Sequence, residues 1–563
     1  MPSARAISTA ALLATATLLS CSLTACAPTA RDGGRGGDGG GTATGAQDAD
    51  RFREQSLDWK DCPAPSPVQG GGEAPAPLPD GTRWQCTTMR TPLDWKKPSG
   101  ESIGIELIRA RAGGDTDDRI GSLLFDFGGP GGSGVTTLPA LAPDYEKLRS
   151  RYDLVSFDPR GVGDSRGVRC LDPDAAEEAE DEVDGTPDDG GDETDALVEL
   201  NRLTAAACEK NSGDVLPYVG TTEAARDMDL MRHLLGDEKL HYFGISYGTE
   251  LGGVYAHLFP GNVGRAVLDG VVDPTRDRME EALGQAGGFQ LAFEHFAAWC
   301  VEQRCTLGED TEAIVDAAVE LEADLDETPL PTSDGSELDG DEVLSAITGS
   351  LYSRSFWPAL LVGLEAVTDG DGDVLADLAE ALGQHGTGGD SDSDSDSDDT
   401  TDENTDDPTD DPADESNEND AFRAITCDDS SDRYTVADVQ ARMPEFVETS
   451  PLFGPGLAWS ALSCAGWPVP GEAHHPEVSA PGAAPIMLVG NTGDPATPYR
   501  GAARMAEALG EGVGFELTYR GEGHGAFDSA NACVRDAVHA YLLDGKLPGS
   551  GAVCEPEPLP EGK

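Results

Sequence analysis

The sequence is poor in basic side chains. Among its 563 residues, 38 lysines and arginines stand against 105 aspartates and glutamates, which gives a formal net charge of −67. A surface of this charge repels the phosphates of nucleic acids and anionic lipid headgroups. The composition therefore argues against a nucleic-acid-binding protein, and we predict no nucleic-acid partner. We interpret the acidic surface as a means of solvation.

Long apolar runs are missing after residue 30, and no later segment approaches the ~20 apolar residues of a membrane-spanning helix. The first residues resemble an export signal, with Arg5 before an apolar stretch over 6–19. Residues 23–26, Leu-Thr-Ala-Cys, resemble a bacterial lipobox. They predict a signal peptide over 1–26 and a lipid on Cys26 as the membrane attachment. Cleavage near Ala30, as in an ordinary secretory signal, is the alternative.

Paired C-x-x-C motifs of the kind that hold zinc are also absent. Twelve cysteines include two in the predicted signal, and the even number that remains indicates disulfides in an exported chain. The sequence does not fix their connectivity. Pairing nearest neighbours gives the simplest set: Cys62–Cys86, Cys170–Cys208, Cys300–Cys305, Cys427–Cys464 and Cys533–Cys554.

One string has the spacing of calcium ligands. Asp369, Asp371, Asp373 and Glu380 occupy the ligand positions of an EF-hand loop, but Val374 stands where that loop requires glycine. The residues that follow have helical periodicity, so the acids are better interpreted as the capped start of a helix. We therefore predict no metal site.

Three stretches lack the apolar residues that a core needs. Residues 27–55 are predicted to form a flexible linker, and residues 172–195 a mobile surface loop. The tract over 387–420 is predicted to be disordered, because residues 390–420 contain sixteen acids and no lysine or arginine.

What the sequence does contain is a G-x-S-x-G pentapeptide at 244–248, directly after an apolar run. This pattern is typical of a nucleophile elbow, a tight strand-to-helix turn whose serine needs side-chain-free neighbours. The residues that follow have helical spacing and stop at Pro260. Ser246 is thus predicted to be a nucleophile at a helix N-terminus, where negative charge is stabilised. An unreactive serine in a glycine-rich turn is the alternative.

The order of elements predicts an α/β fold with a mostly parallel sheet flanked by helices. Alternating segments over 84–89 and 103–110 indicate an antiparallel edge. Buried strands are predicted over 122–127, 152–158, 264–272, 484–491 and 514–519.

The spacing of the apolar residues divides the chain further. Between 273 and 475 amphipathic helices dominate, which predicts an all-helical lid inserted into the sheet domain. The sheet domain then has a first part over 56–272 and a second part over 476–563, with a last helix over 526–543.

A serine nucleophile needs a base and an acid that orients it. Of nine histidines, His524 alone lies in a glycine-flanked loop between a strand and the last helix, and it is predicted as the base. Asp494, which follows the strand begun at 484, is predicted as the acid. Asp273 is the fallback, and Asp269 is interpreted as a structural turn carboxylate.

Backbone donors complete the predicted site. The N–H groups of Tyr247, next after the serine, and of Gly129, in the glycine-rich loop over 128–134, are predicted to form an oxyanion hole. Triad and backbone donors are sufficient for acyl transfer, so we predict no cofactor.

The segments 127–134, 158–165, 244–249, 493–494 and 523–525 together resemble the α/β-hydrolase peptidases of the proline iminopeptidase type. The export signal, the cysteines and the lid are similar to the secreted tripeptidyl aminopeptidases of actinobacteria and to related mycobacterial cell-envelope serine hydrolases. The resemblance covers Asp58 to Cys554 without the acidic tracts, and it implies an α/β-hydrolase fold with a large inserted helical lid. Position 127 is phenylalanine, where the loop of the iminopeptidases usually has histidine. The resemblance therefore does not imply specificity for proline.

Residues and resemblance predict an exported serine protease, an aminopeptidase that releases tripeptides or other short peptides from free N-termini. Peptides are its expected partners, and we expect a monomer that is either secreted or held at the membrane by its lipid. A carboxylesterase or lipase of the cell envelope is the first alternative. A non-catalytic binding lipoprotein is the second.

An aminopeptidase must pair the substrate ammonium with a carboxylate, and the resemblance places the capping element in the lid. Asp428 and Asp429 follow Cys427, and a disulfide to Cys464 would hold them rigidly. They are predicted to bind the amine. Solvation of a loop, or the start of a helix, is the alternative.

Overall fold

The computed structural model describes residues 50–171, 193–333, 335–383 and 416–556. The predicted signal peptide with Cys26 lies outside these ranges, as do residues 27–49 of the predicted linker. Most of the predicted surface loop and of the acidic tract also lies outside them. The ends of two predictions were wrong: Phe52 of the predicted linker is buried in the apolar core, and Asn417 of the predicted disordered tract is buried directly before a helix. The chain divides into the units Met1–Thr44 and Gly45–Lys563, and all described residues belong to the second. Within the described ranges, no helix has the length and apolar character to cross a membrane.

Ten strands of the described chain form one sheet. They are β1 (Lys60–Asp61), β2 (Gln85–Pro92), β3 (Ser102–Ala110), β4 (Gly121–Asp126), β5 (Tyr152–Phe157), β6 (Leu240–Ile245), β7 (Val263–Asp269), β10 (Ile486–Gly493), β11 (Gly514–Glu522) and β12 (Ala552–Cys554). Their order is β1-β2-β3-β5-β4-β6-β7-β10-β11-β12. The pair β2–β3 is antiparallel, as the alternation predicts. The pairs β1–β2 and β3–β5 are also antiparallel, and the rest are parallel.

The parallel strands end in register. Asp126 pairs with Gly244, and Asp269 pairs with both Ile245 and Val489. Since the carboxyl ends of these strands meet at one edge, the loops that follow them converge there.

Helices before the insertion flank this sheet. They are α1 (Gly134–Leu141), α2 (Glu146–Arg149), α3 (Glu193–Ser212), α4 (Thr221–Leu234) and α5 (Tyr247–Leu258).

Between β7 and β10 the chain leaves the sheet. This segment contains α6 (Arg278–Gln303), α7 (Thr311–Glu327), α8 (Gly340–Ser350), α9 (Trp357–Thr368), α10 (Asp373–Gly383), α11 (Glu418–Asp429), α12 (Val436–Thr449) and α13 (Gly454–Ser460). We call these elements the helical insert. A two-stranded hairpin of β8 (Leu330–Pro331) and β9 (Glu337–Leu338) lies among them, so the prediction of an all-helical segment was wrong in this detail. The helix start predicted from the calcium-like string is confirmed at Asp373.

The chain then returns through α14 (Arg500–Leu509) and α15 (Ala532–Asp544). The predicted start of the last helix at 526 was wrong. The N–H groups of Ala526 and Phe527 donate instead to the buried carboxylate of Asp269, and the Asn531 side chain caps the helix that begins one residue later. A long-range contact therefore displaces the local helical pattern.

Adjacent residues of each central strand face opposite sides of the sheet. Leu124, Leu268 and Leu488 join one apolar cluster, whereas their neighbours Leu123, Val267 and Met487 join the other. This is why the parallel strands read as continuous apolar runs. The helical insert has a core of its own, built around residues such as Phe293, Phe296 and Trp357. All five disulfides join the nearest-neighbour pairs predicted above.

Candidate active site

Ser246 lies between the end of β6 and the start of α5 with φ 55° and ψ −124°. A non-glycine residue at positive φ is uncommon, and here the elbow imposes it. A Cβ at Gly244 would lie 2.3 Å from the carbonyl oxygen of Gly248, and one at Gly248 would lie 2.4 Å from that of Asp126. Both glycines of the pentapeptide are therefore required by backbone contact.

His524 and Asp494 form a hydrogen-bonded pair, with 2.9 Å between Nδ1 and Oδ1. The same Asp494 oxygen accepts from the N–H of Thr497 at 2.8 Å, and Oδ2 accepts from the N–H of Gly525 at 2.9 Å. The carboxylate side chain is fully buried. The orientation of the carboxylate is thus fixed by two loops. We call residues 494–498, which follow β10, the acid loop, and residues 523–525, which follow β11, the base loop.

The two alternative acids have other partners. Asp269 accepts from Ala526 and Phe527, as a structural turn carboxylate would. Asp273 accepts from Thr275 and pairs with Arg276 at 3.2 Å. Among the described contacts, neither bonds to His524.

The environment of His524 has opposing effects on its pKa. Burial alone lowers the pKa, but the charge and hydrogen bond of Asp494, followed by the charges of Asp269 and Asp528, outweigh it, so the pKa lies above 6.5. The imidazole is therefore well suited to accept a proton near neutral pH.

Ser246 and His524 are brought together through residues 269–270. The N–H of Ser246 donates to the Asp269 carbonyl at 3.0 Å, and a Cβ at the next residue, Gly270, would lie 3.2 Å from Cε1 of His524. Across the described part of the chain, no hydrogen bond joins Ser246 Oγ to His524. Such bonds are often long in free enzymes and shorten when substrate binds.

The predicted oxyanion donors lie beside the nucleophile. A Cβ at Gly128 would be 2.8 Å from Cβ of Ser246 and 3.2 Å from the nitrogen of Tyr247. The Gly128 N–H is engaged by Asp126 Oδ1 at 3.2 Å, so the next N–H in the loop is that of Gly129. Tyr247 is the first residue of α5, where the N–H has no intrahelical partner.

Asp428 and Asp429 end α11 and meet the N-terminus of α4. Asp428 accepts from the N–H of Gly220 at 2.9 Å, and Asp429 accepts from the N–H and the hydroxyl of Thr221, each at 2.7 Å. The Thr221 hydroxyl also bonds to the hydroxyl of Tyr247. Burial, with smaller contributions from neighbouring acids, raises the pKa of Asp428 to about 8 and that of Asp429 to about 7. Both acids cap a helix, and Asp429 is linked to the residue that follows the nucleophile.

Sequence reasoning missed Glu250. It lies one helical turn after Ser246 and is half-buried. Burial, then the charges of Asp429 and Glu281, raise its pKa well above the usual range. Its carboxylate has no ion pair within the described ranges. The i+4 spacing from the serine was the signal that would have identified it.

Asn491 was also missed. Its side chain is buried, with Nδ2 donating to the carbonyls of Gly523 at 2.7 Å and Gly525 at 3.0 Å, and Oδ1 accepting from Gly521. It holds the loop on both sides of His524. No local pattern marks this role, because the partners are about 30 positions away.

The described residues offer one close group of metal-ligand type, Cys170, Cys208 and Asp420. The two sulfurs are joined in a disulfide, and Asp420 accepts from the N–H of Cys170 at 2.8 Å. Thiolates are therefore not available there for a metal.

Comparison with known proteins gives matches along most of the chain. Residues 123–315 match a family model described as alpha/beta hydrolase fold, and residues 450–554 match one described as TAP-like protein. Serine protease Hip1 of Mycobacterium tuberculosis is 33% identical over 89% of this chain and 91% of its own length. Tripeptidyl aminopeptidase of Streptomyces lividans is 31% identical, over 91% and 89%. Carboxylesterase B of Mycobacterium tuberculosis is 32% identical, over 84% and 86%.

Proposed function

The chain belongs to the α/β-hydrolase family that contains serine protease Hip1 and the tripeptidyl aminopeptidases, and on this premise we propose that it releases short peptides from free N-termini. It is a serine hydrolase whose relatives include peptidases. The His524–Asp494 pair beside the strained Ser246 is the observation that best supports acyl transfer. We propose that the released peptides are tripeptides or other short peptides.

In the proposed reaction, Ser246 Oγ attacks the scissile carbonyl carbon while Nε2 of His524 takes the hydroxyl proton. Asp494 accepts a hydrogen bond from the Nδ1–H group of His524 and stabilises the imidazolium. The N–H groups of Gly129 and Tyr247 donate to the oxyanion. His524 then protonates the leaving amine as the C–N bond breaks, which leaves an acyl-enzyme. A water molecule repeats the sequence and frees the serine.

Recognition of the free N-terminus is assigned to Asp429, with Glu250 as a second carboxylate and Asp428 behind them. Asp429 and Glu250 are half-buried, adjacent to the elbow and close enough for their charges to interact. Carboxyl groups whose pKa is raised by burial and by one another are stabilised as anions when a cation such as the α-ammonium of a peptide binds beside them, so the cluster favours such a cation. The distance from this cluster to Ser246 would then set the number of residues released.

A carboxylesterase is the second candidate, because a relative bearing that name is as similar as the peptidases. The same triad serves both reactions. The two functions differ in whether a free amine contributes to binding.

One comparison of three substrates separates them. We propose measuring kcat/KM on an unblocked tripeptide anilide, the same anilide with an acetylated N-terminus, and a p-nitrophenyl acyl ester. An aminopeptidase prefers the unblocked anilide over the acetylated one by at least about a hundredfold, since a desolvated charge pair is lost. Equal rates on the two anilides, with a much faster ester, would instead identify an esterase.

Five disulfides indicate an exported protein, since such bonds persist outside the reducing cytoplasm. We further propose that Cys26 carries a lipid. Metabolic labelling with an alkyne fatty acid should mark the wild-type chain and leave Cys26→Ser unlabelled. Equal labelling of both, or of neither, would reject the lipid on Cys26.

A further inference from the structure

His295 and Glu522 form an ion pair that joins the helical insert to the catalytic loops. Nδ1 of His295, in the middle of α6, lies 2.9 Å from Oε2 of Glu522. Glu522 is the last residue of β11 and stands two positions before His524. The pair is partly exposed, with 40% of the His295 side chain and 22% of the Glu522 side chain accessible to solvent, so solvent screens it less than a pair at the open surface.

Glu522 also contacts the residue before the acid loop. A Cβ at Gly493 would lie 2.2 Å from Oε2 of Glu522, so the carboxylate rests on the residue that precedes Asp494. Glu522 therefore belongs to the strand that leads to His524, and its side chain touches the backbone next to Asp494. We infer that a shift of the Glu522 side chain would move both His524 and Asp494.

Other contacts of the insert reach the same two loops. Gln285 Nε2 donates to the carbonyl of Ala496 at 3.2 Å, and Gly288 packs against the carbonyl of Pro495. The N–H of His524 donates to the carbonyl of Tyr352 at 2.8 Å, and the two rings meet edge to face at 5.2 Å. Apart from His524 itself, His295 is the group in these contacts whose charge changes near neutral pH.

We propose that the His295–Glu522 pair is a pH-dependent latch that fixes the catalytic histidine loop against the helical insert. His295 and Glu522 are then positioning residues for His524, since they act on the base through the backbone. The inference rests on the proposed catalytic role of His524.

The charged groups that face His295 give the direction of the effect. They are Glu522, from β11, and Glu294, from its own helix. The hydrogen bond that His295 donates to Glu522 raises the pKa of His295, burial opposes it, and the charges of Glu522 and Glu294 add to the increase. Below this raised pKa the pair is ionic. As pH rises through it, His295 loses its charge and the latch weakens to a hydrogen bond between a neutral imidazole and the carboxylate.

The test compares His295→Gln with His295→Lys. Glutamine imitates the neutral state at every pH, and lysine keeps the charge throughout. We expect the ratio of wild-type to His295→Gln kcat/KM on a neutral ester to be about two- to fivefold near pH 6, the range of a partly exposed ion pair, and to approach one near pH 9. His295→Lys should retain wild-type activity near pH 6 and exceed wild type near pH 9. The titration of His524 is removed by fitting the pH profile of each protein with its own His524 midpoint and comparing the remaining pH dependence.

A matched control is available in His257, whose Nδ1 lies 3.9 Å from Glu477, a pair that involves neither catalytic loop. His257→Gln should show a ratio independent of pH. A pH-independent ratio for His295→Gln, or the same pH dependence in His257→Gln, would overturn the latch.

Hydrogen exchange of residues 514–527, measured in the Ser246→Ala background, separates the latch from catalysis. His295→Gln should exchange faster than His295→Lys near pH 6, whether or not the protein is a peptidase. Equal exchange would reject the latch. The fluorophosphonate is tested separately, on the chain that retains Ser246. Faster exchange in His295→Gln together with no labelling of Ser246 would retain the contact and reject the proposed function.

Discussion

Asn491 donates hydrogen bonds to the carbonyl groups on both sides of His524, at 2.7 Å to Gly523 and 3.0 Å to Gly525. Asn491 lies in β10, three residues before Asp494, so one strand holds the acid and clamps the loop of the base. The geometry of the pair is thereby fixed by a residue of the sheet and does not depend on the loops alone.

Replacing this clamp should impair catalysis more than binding. Asn491→Ala leaves two buried carbonyls without donors, which costs about 2–4 kcal/mol of the free energy of unfolding. In the protein that remains folded, kcat should fall at least about tenfold with little change in KM, because the base is misplaced. Asn491→Asp keeps the acceptor for Gly521 and loses both donors, so it should show the same loss of kcat. Wild-type kcat in either folded variant would remove Asn491 from the positioning of His524.

The raised pKa of His524 predicts the acid limb of the pH profile. The imidazole of His524 must be neutral to act as a base. Burial lowers the pKa of His524, but the charge of Asp494 outweighs burial, so His524 stays protonated to higher pH. Activity should therefore rise with pH through a midpoint above 6.5 in kcat/KM, for anilide and ester alike. Asp494→Asn should lower that midpoint and reduce kcat at least about a hundredfold. A midpoint unchanged in Asp494→Asn would contradict the pairing.

The role of Asp429 predicts a pH dependence that the triad does not produce. Burial places its pKa at about 7, so the carboxylate is ionised above that value and protonated below it. The preference for an unblocked over an acetylated anilide should fall as pH drops through about 7, while His524 affects both substrates equally. Asp429→Asn should reduce that preference about tenfold or more between about pH 7 and 8, where Asp429 is ionised and the α-amino group of the substrate, with a pKa of about 8, is still largely protonated. Glu250→Gln should act in the same direction.

A purely structural role for Asp429 gives another result. If the carboxylate only caps α4, Asp429→Asn and Asp428→Asn will lower stability together and leave the ratio between the two anilides unchanged. That outcome would leave the amine-binding group unassigned.

A buried ion pair behind the site should control stability alone. Arg160 donates from Nε and Nη2 to both oxygens of Asp227, at 2.8 and 2.9 Å, and both side chains are almost fully buried. Asp227→Asn should lower the free energy of unfolding by about 3–5 kcal/mol, because an uncompensated guanidinium remains inside. Denaturant unfolding measures this, and Asp61→Asn, which removes the exposed pair with Arg83, supplies the control. A loss from Asp227→Asn as small as that from Asp61→Asn would contradict it.

The parts of the fold that local chemistry determines could be predicted from the sequence. Gly244 is required by a backbone contact four residues away. The glycine patterns around Ser246 and His524 can be recognised in the sequence, although Gly248 and Gly523 also approach the distant carbonyls of Asp126 and Tyr352. Apolar strands buried on both faces read as continuous runs, which predicted the positions of the parallel strands along the chain but not their order in the sheet. Nearest-neighbour pairing of cysteines was sufficient because each bridge spans fewer than 40 positions.

Contacts between distant residues could not be predicted. His295 and Glu522 are 227 positions apart, and Thr221 and Asp429 are 208 apart. Each of these side chains is unremarkable in its own segment. The early start predicted for the last helix failed for the same reason, since Asp269 captures the N–H groups of Ala526 and Phe527.

The central claim is that Ser246 is the nucleophile of an acyl transfer. Intact-mass analysis after treatment with a fluorophosphonate tests it most directly. We expect one adduct per chain, located on Ser246 by peptide mapping and absent in Ser246→Ala, which should also lose turnover of every substrate by at least about a thousandfold. An adduct that persists in Ser246→Ala, or a wild-type chain that takes up no label, would contradict the account.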